Sequence, residues 1–368
     1  MNAGQQLNLD LLKYLLGPIA PHLSDPACTD IFVYGYRDVF VKRQGRRLER
    51  VAAAWRSDTD LMLAAESIAE HIHRRLDADH PILDSRLPDG SRVNIVIPPC
   101  YPAGACVSIR IFPQERYGAA DLLGFGTLDS AGIDILRAAV AAGANILISG
   151  GTGSGKTTLL NVLASFIPGD DIVVTVEDSR EISLSRPLWA PLESKHALHA
   201  DDRPVTLQDL VRNSLRMNPR WLLVGEVRGA EALDLLRAFN TGHAGMSTVH
   251  ANSAVDALGA LESLVLQSGL DIPARAVKEL VSRAIRVVAH IHHFPDDSRK
   301  VAEIVEVRGL EYETSPSFPP YRVVPLYRYG FAGTDPAGTA LGRFAVEQPP
   351  SFLDELRLRN IPLPEVWR

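Results

Sequence analysis

Cysteine is scarce in this sequence: three thiols, Cys28, Cys100 and Cys106, among 368 residues. Three cannot build a tetracysteine zinc knuckle or a disulfide framework, so the expectation is reduced thiols in a cytosolic protein. Long apolar runs are missing too. Ala138–Leu147 is apolar but is interrupted by Gly143 and Asn145, well short of the roughly 18 residues of a membrane span. The opening segment, MNAGQQLNLDLLKYLLGPIAPHL, has no basic stretch ahead of an apolar core, so no secretory signal is expected. Basic charge is not in excess: 38 Lys and Arg stand against 44 Asp and Glu, a net charge of −6. That balance argues against a duplex-DNA binder working through a broad basic face, and no direct nucleic-acid partner is expected. What is present is ordinary globular material, 46% hydrophobic and 22% charged, which excludes a disordered chain. At about 150 residues per domain the length predicts two domains and a tail. A cytoplasmic protein is expected, one that meets a membrane only through partners.

The periodicities change along the chain. Residues 1–24 form a short helical lead-in broken at Gly17-Pro18. In 25–113, Ile31, Val33, Val39 and Val41 alternate as strands do. Leu61, Ala65, Ile68, Ile72 and Leu76 recur at steps of three or four, which predicts an amphipathic helix over Leu61–Leu76 capped by Asp58 or Thr59. A Leu87–Gly90 turn and strands at Val93–Ile97 and Val107–Phe112 complete a small α+β domain. Residues 114–127 are rich in Gly and turn formers and are the expected interdomain linker. From 128 to 310, strands alternate with helices, the pattern of a mostly parallel sheet covered on both faces. Residues 311–368 make a short β-rich tail with one helix near Phe352–Arg359.

Gly150-Gly151-Thr152-Gly153-Ser154-Gly155-Lys156-Thr157 matches the phosphate-loop pattern G-x-x-x-x-G-K-[ST], between an apolar strand (Asn145–Ser149) and a helix. Its glycines let successive N–H groups turn inward around phosphates. Lys156 reaches the outer phosphates, and the Thr157 hydroxyl takes a Mg²⁺. Gly151, Thr152, Gly153, Ser154, Gly155, Lys156, Thr157 and Thr158 are therefore the expected nucleotide-binding residues. Such a loop needs a carboxylate ending a neighbouring strand. Two strands end so: Ile172–Val176 on Glu177-Asp178, and Trp221–Val224 on Gly225-Glu226. Glu226 is assigned to the metal, through a water, and Glu177 to the general base that activates the attacking water. Of 11 histidines, most occupy loops or helix surfaces. His290-Ile291-His292-His293 lacks a carboxylate or cysteine to complete a metal site and is expected to be a solvated strand. His250 ends the strand Met246–Val249 and is a candidate γ-phosphate sensor. His243, in the preceding turn, is a weaker one, placed with Arg228 on the nucleotide side.

The phosphate loop, Val176-Glu177-Asp178, Leu223-Val224-Gly225-Glu226-Val227-Arg228-Gly229 and Ser247-Thr248-Val249-His250-Ala251-Asn252 occur in order. Together they resemble the type II/type IV secretion ATPase superfamily. Three further stretches (Asp84–Asn94, Leu210–Pro219 and Gly342–Phe344 with Phe352–Leu356) are similar to its CpaF/TadA branch, which drives Tad (type IVc) pili. The resemblance implies a RecA-like P-loop core after a smaller PAS-like N-terminal domain. It implies a hexamer that hydrolyses ATP with Mg²⁺ at the cytoplasmic face of the inner membrane, working on a membrane platform to assemble or retract a pilus. It also implies that Arg92 and Arg110, with Arg86 behind them, reach the γ-phosphate. A charge arriving there is worth about 10³–10⁵ in rate. Two alternatives stand beside the pilus motor: a conjugative or type IV secretion traffic ATPase, and a nucleotide-gated scaffold with little hydrolysis.

Overall fold

The structure is a computed structural model that describes residues 16–43, 46–112, 117–195, 203–315, 317–336 and 338–367. The helical lead-in expected over 1–24 falls largely outside them; its described end holds single turns at Gly17–Ile19 and Ala20–Leu23. The chain divides into two units, Met1–Arg116 and Tyr117–Arg368.

The first unit is an antiparallel sheet with a helix against it. Its strands are β1 (Cys28–Tyr34), β2 (Asp38–Arg43), β3 (Glu49–Arg50), β4 (Ile82–Arg86), β5 (Arg92–Val96) and β6 (Cys106–Arg110), in the order β3-β2-β1-β6-β5-β4. Alternation decides which face is dry: Ile31, Val33, Val39, Val41, Val93, Ile95, Val107 and Ile109 are all buried. Helix α1 (Asp58–His71) adds Leu61, Ala65 and Ile68 to the same core. Its cap is Ser57, one residue before the expected pair; the Ser57 side chain accepts from Asp60 N at 3.2 Å. The helix stops short of the expected Leu76 because His73 turns left-handed, with φ 55°.

The second unit is built on one nine-stranded sheet of order β15-β14-β13-β12-β7-β11-β10-β8-β9. Its strands are β7 (Ile146–Ser149), β8 (Val173–Glu177), β9 (Trp189–Glu193), β10 (Trp221–Val224), β11 (Ala244–Val249), β12 (Val287–His293), β13 (Arg299–Leu310), β14 (Tyr321–Thr334) and β15 (Ala340–Val346). From β12 to β9 every pairing is parallel; β12 to β15 is antiparallel. The central parallel strands β7, β8, β10 and β11 are buried along their whole length because both faces are covered. On β7, Ile146 and Ile148 enter one core with α3 (Ser130–Ala141) and α4 (Lys156–Ala164). Leu147 points the other way, into a core with α5 (Leu207–Ser214), α6 (Glu231–Asn240), α7 (Ala254–Leu266) and α8 (Ala274–Ala284). Trp221 and Leu223 against Leu222 and Val224 repeat the division on β10. This is the α/β P-loop fold expected for 128–310.

Two segments differ from expectation. Of the expected linker, 114–127, the residues from 117 onward carry a helix, α2 (Ala119–Gly124), and belong to the second unit. Asp121 folds back on the Gly118 N–H at 2.7 Å, so a Gly-rich stretch closes into a helical turn. The β-rich tail, 311–368, continues the main sheet as β14 and β15. Helix α9 (Leu353–Leu358) packs Phe352, Leu353 and Leu356 into the first core.

Candidate active site

In parallel sheets, ligands gather at the carboxyl ends of strands. Here register makes those ends level: Ser149 lies beside Val249, and Val224 lies between Ser247 and Val176. The residues that follow are the phosphate loop, His250, Gly225-Glu226 and Glu177. They therefore emerge on one edge.

The loop requires its first glycine. Gly150 has φ 158°, and a Cβ there would lie 2.4 Å from the Ile291 carbonyl and 2.6 Å from Ser154 Oγ. Gly151, Thr152 and Gly153 are exposed along the rim; Ser154 and Lys156 are buried, with Gly155, Thr157 and Thr158 half-buried. Ser154 Oγ is enclosed with no hydrogen-bond partner among the described residues. Lys156 opens α4, and its ammonium donates to the carbonyls of Gly150 (3.0 Å) and Gly151 (2.9 Å). Burial lowers its pKa; the Glu226 charge pulls the other way. An unpartnered hydroxyl, a buried ammonium, open glycines and a helix N-terminus form a donor set that fits phosphate oxygens.

The acids sit against this loop. Glu177 is buried, and its Oε1 accepts from the N–H groups of Glu181 and Ile182, each at 2.8 Å. Gly225 makes room for it: a Cβ at 225 would stand 2.9 Å from Glu177 Cγ. Glu226 Oε2 pairs with the Arg228 guanidinium, and Glu226 Oε1 lies 2.7 Å from His250 Nε2. The other ring nitrogen of His250, Nδ1, is 3.5 Å from Lys156 Nζ. His250 thus stands between the loop lysine and the strand-end glutamate. Sequence reasoning misses two further contributors. Glu231 accepts from the N–H groups of Arg228 (2.7 Å) and Gly229 (2.8 Å), which sets the turn that carries Arg228. Its signal is present in the sequence: an acid three residues on, at a helix start. Glu181 is the second. Its charge is felt by both Lys156 and Arg228, though nothing in its own motif announces it.

Two histidine expectations need correction. His243 precedes β11, so it lies at the amino edge of the sheet, held by Ala238 O (3.2 Å) and Thr241 Oγ1 (3.3 Å). Six strand residues separate it from His250, about 20 Å at roughly 3.3 Å per residue, so it does not join its own chain's phosphate loop. His290, expected in a solvated strand, is buried instead, with Nδ1 3.0 Å from Ser149 Oγ. Parallel pairing of β12 with β7 sets these two residues side by side. His292 is exposed, and His293 meets Asp297 at 3.1 Å.

In the first unit, Arg92 lies directly between Arg86 and Arg110 across β4, β5 and β6, and the row ends on Asp30 of β1. Directly opposed residues project from the same face of a sheet. Arg110 Nε is 3.3 Å from Asp30 Oδ1. Like charges opposite one another are destabilising, and Asp30 at the end of the row offsets part of that cost.

Comparison with known proteins gives the family. The family model described as "Type II/IV secretion system protein" matches residues 15–307. The type IV secretion system protein PtlH of Bordetella pertussis is 36% identical over 275 residues, covering 67% of this chain and 80% of PtlH. The conjugal transfer protein TrbB of Rhizobium radiobacter is 30% identical over 292 residues, covering 78% of this chain and 86% of TrbB. In fold, the X-ray structure of the Legionella pneumophila ATPase DotB superposes with a TM-score of 0.56 at 22% identity, over 79% of each chain. With the phosphate loop, the strand-end acids and this match pointing the same way, the chain is a P-loop ATPase and belongs to the Type II/IV secretion system protein family.

Proposed function

We propose that the chain is the hexameric motor of a Tad-type pilus, hydrolysing ATP with Mg²⁺ to assemble or retract the filament through inner-membrane platform proteins. Among the described residues no helix is long and apolar enough to cross a membrane. The observation that carries the hydrolysis is the His250 bridge, 3.5 Å from Lys156 and 2.7 Å from Glu226. A phosphate that draws Lys156 off the loop carbonyls is sensed at Glu226 through one imidazole, whose two nitrogens face the two groups. Thr157 and Glu226 would hold the metal. When bound, Mg²⁺ neutralises charge on the outer phosphates. Glu177 takes the proton of the attacking water, its orientation set by the two N–H groups on Oε1. Arg92 and Arg110 answer the charge of the transferred group, a role that fits their place side by side in the ladder. Steady-state phosphate release by the purified protein tests the enzyme. Pili counted by electron microscopy in a strain lacking the gene test the cargo: an unchanged count overturns the pilus reading.

A second reading keeps the motor and changes the load. PtlH and TrbB are named for type IV secretion and conjugal transfer, which favours a traffic ATPase for protein or DNA complexes. Loss of conjugation or secretion with intact pili in the same strain decides for it.

A further inference from the structure

The phosphate loop is gripped from outside its own motif. Three side chains of the β12–β13 hairpin reach it or the segment beside it. His290 meets Ser149, the last residue before the loop. Glu303, opposite His290 in the ladder, accepts from the N–H of Ala254 at 2.8 Å, at the helix start four residues after His250. Arg299 donates from Nε to the Gly153 carbonyl at 2.9 Å. Its Cδ would lie 3.3 Å from a Cβ on Gly155, so the stem lies along the loop as well. The hairpin tip that carries Arg299 is itself tied. Phe294 N donates to Ser298 O at 2.8 Å, and Ala340 N of β15 donates to Asp296 Oδ2 at 2.7 Å.

We propose that Arg299 is a positioning residue for nucleotide binding: by holding the Gly153 carbonyl outward it turns the Ser154 N–H into the phosphate cradle. The argument is peptide geometry. In a trans peptide, C=O and N–H point in opposite directions. With the Gly153 oxygen committed to the guanidinium, the Ser154 N–H faces across the loop, where it lies 3.4 Å from Gly151 O. That contact is long and yields readily to a phosphate oxygen. The Arg299 bond has a charged donor and is the stronger of the two. A group that holds a phosphate-facing N–H helps the ground state and the transition state alike. Its loss appears in binding and KM rather than in kcat.

The inference rests on the chain binding ATP, and the test separates the two. Arg299→Met keeps the stem and removes the donor. Arg299→Gln places an amide nitrogen the same number of bonds from the backbone as Nε, without the charge. Dissociation constants for ATP and ADP by calorimetry, with kcat and KM from phosphate release, are measured on the full chain. For Arg299→Met the expected result is about 10–100-fold weaker nucleotide binding, with kcat within about threefold of wild type. Arg299→Gln restores binding to within about fivefold, because the hydrogen bond returns. An unchanged dissociation constant in Arg299→Met overturns the role. So does a Gln variant as weak as the Met variant, which would assign the effect to charge alone. Melting temperatures equal to wild type exclude a folding defect; should Arg299→Met melt early, its dissociation constant is measured well below its transition, where the chain is folded, and the same comparison with wild type decides the question. Wild-type protein that binds no nucleotide refutes the ATPase reading itself and this inference with it.

Discussion

Glu177→Gln separates chemistry from architecture. The Glu177 Oε1 holds the N–H groups of Glu181 and Ile182, and the amide oxygen of glutamine accepts both bonds equally well. The fold, the Gly225 contact and the loop are therefore kept, while the basic carboxylate is gone. A positioned general base contributes about 10²–10⁴ in rate. The expected fall in kcat is of that size, about 3–5 kcal/mol of barrier, with the dissociation constant for ATP unchanged. Glu177→Ala behaves differently: it orphans two donors, one of them buried, at about 1–3 kcal/mol each, so the melting temperature falls too. Phosphate release, nucleotide calorimetry and thermal melts on both variants give the comparison. A Gln variant that turns over within tenfold of wild type shows that another group takes the proton.

Three further outcomes follow from the site. Glu226→Gln removes the charge that faces both Arg228 and His250; kcat is expected to fall at least a hundredfold, and unchanged turnover in a phosphate assay refutes the metal-side role. Arg92→Ala is expected to bind ATP normally and to lose about 10³-fold or more in hydrolysis, and wild-type turnover removes its place in the chemistry. His290 supplies a pH dependence. Burial lowers its pKa below the ordinary value near 6.5; the charges of Glu303 and Asp256 oppose the shift, while His292 and Lys156 add to it. The unfolded chain then binds the proton more readily, so this contribution is intact above about pH 6.5 and is lost as pH falls from there through the lowered folded value. The melting temperature is expected to drop on acidification less steeply in His290→Asn than in wild type; equal slopes refute the assignment.

The centre of the fold was legible because its physics is local. A strand apolar at every position, a run of glycines and a lysine opening a helix carry their meaning within a dozen residues. The strand-end acids were legible for the same reason. Edges were not: β9 is Trp-Ala-Pro-Leu-Glu, whose proline suits only an outer strand and mutes its strand signal. Helix α8 hides Val277, Val281 and Ala284 among charged neighbours. Long-range register was invisible as well. His290 is buried because β12 lies beside β7, and Ser149 is 141 residues away in the chain. His243 looked close to the chemistry in the sequence, but the rise of one strand carries it to the far edge. The alignment of Arg86, Arg92 and Arg110 depends on three strands meeting at one level.

That alignment has a mechanical consequence. Three positive residues and one negative share the row, so the like charges repel across the ladder, most strongly in dilute buffer, where fewer ions dampen the push. An oxyanion settling among them turns repulsion into cohesion. A further negative group arriving at the row is therefore expected to be felt in how firmly β4, β5 and β6 hold together.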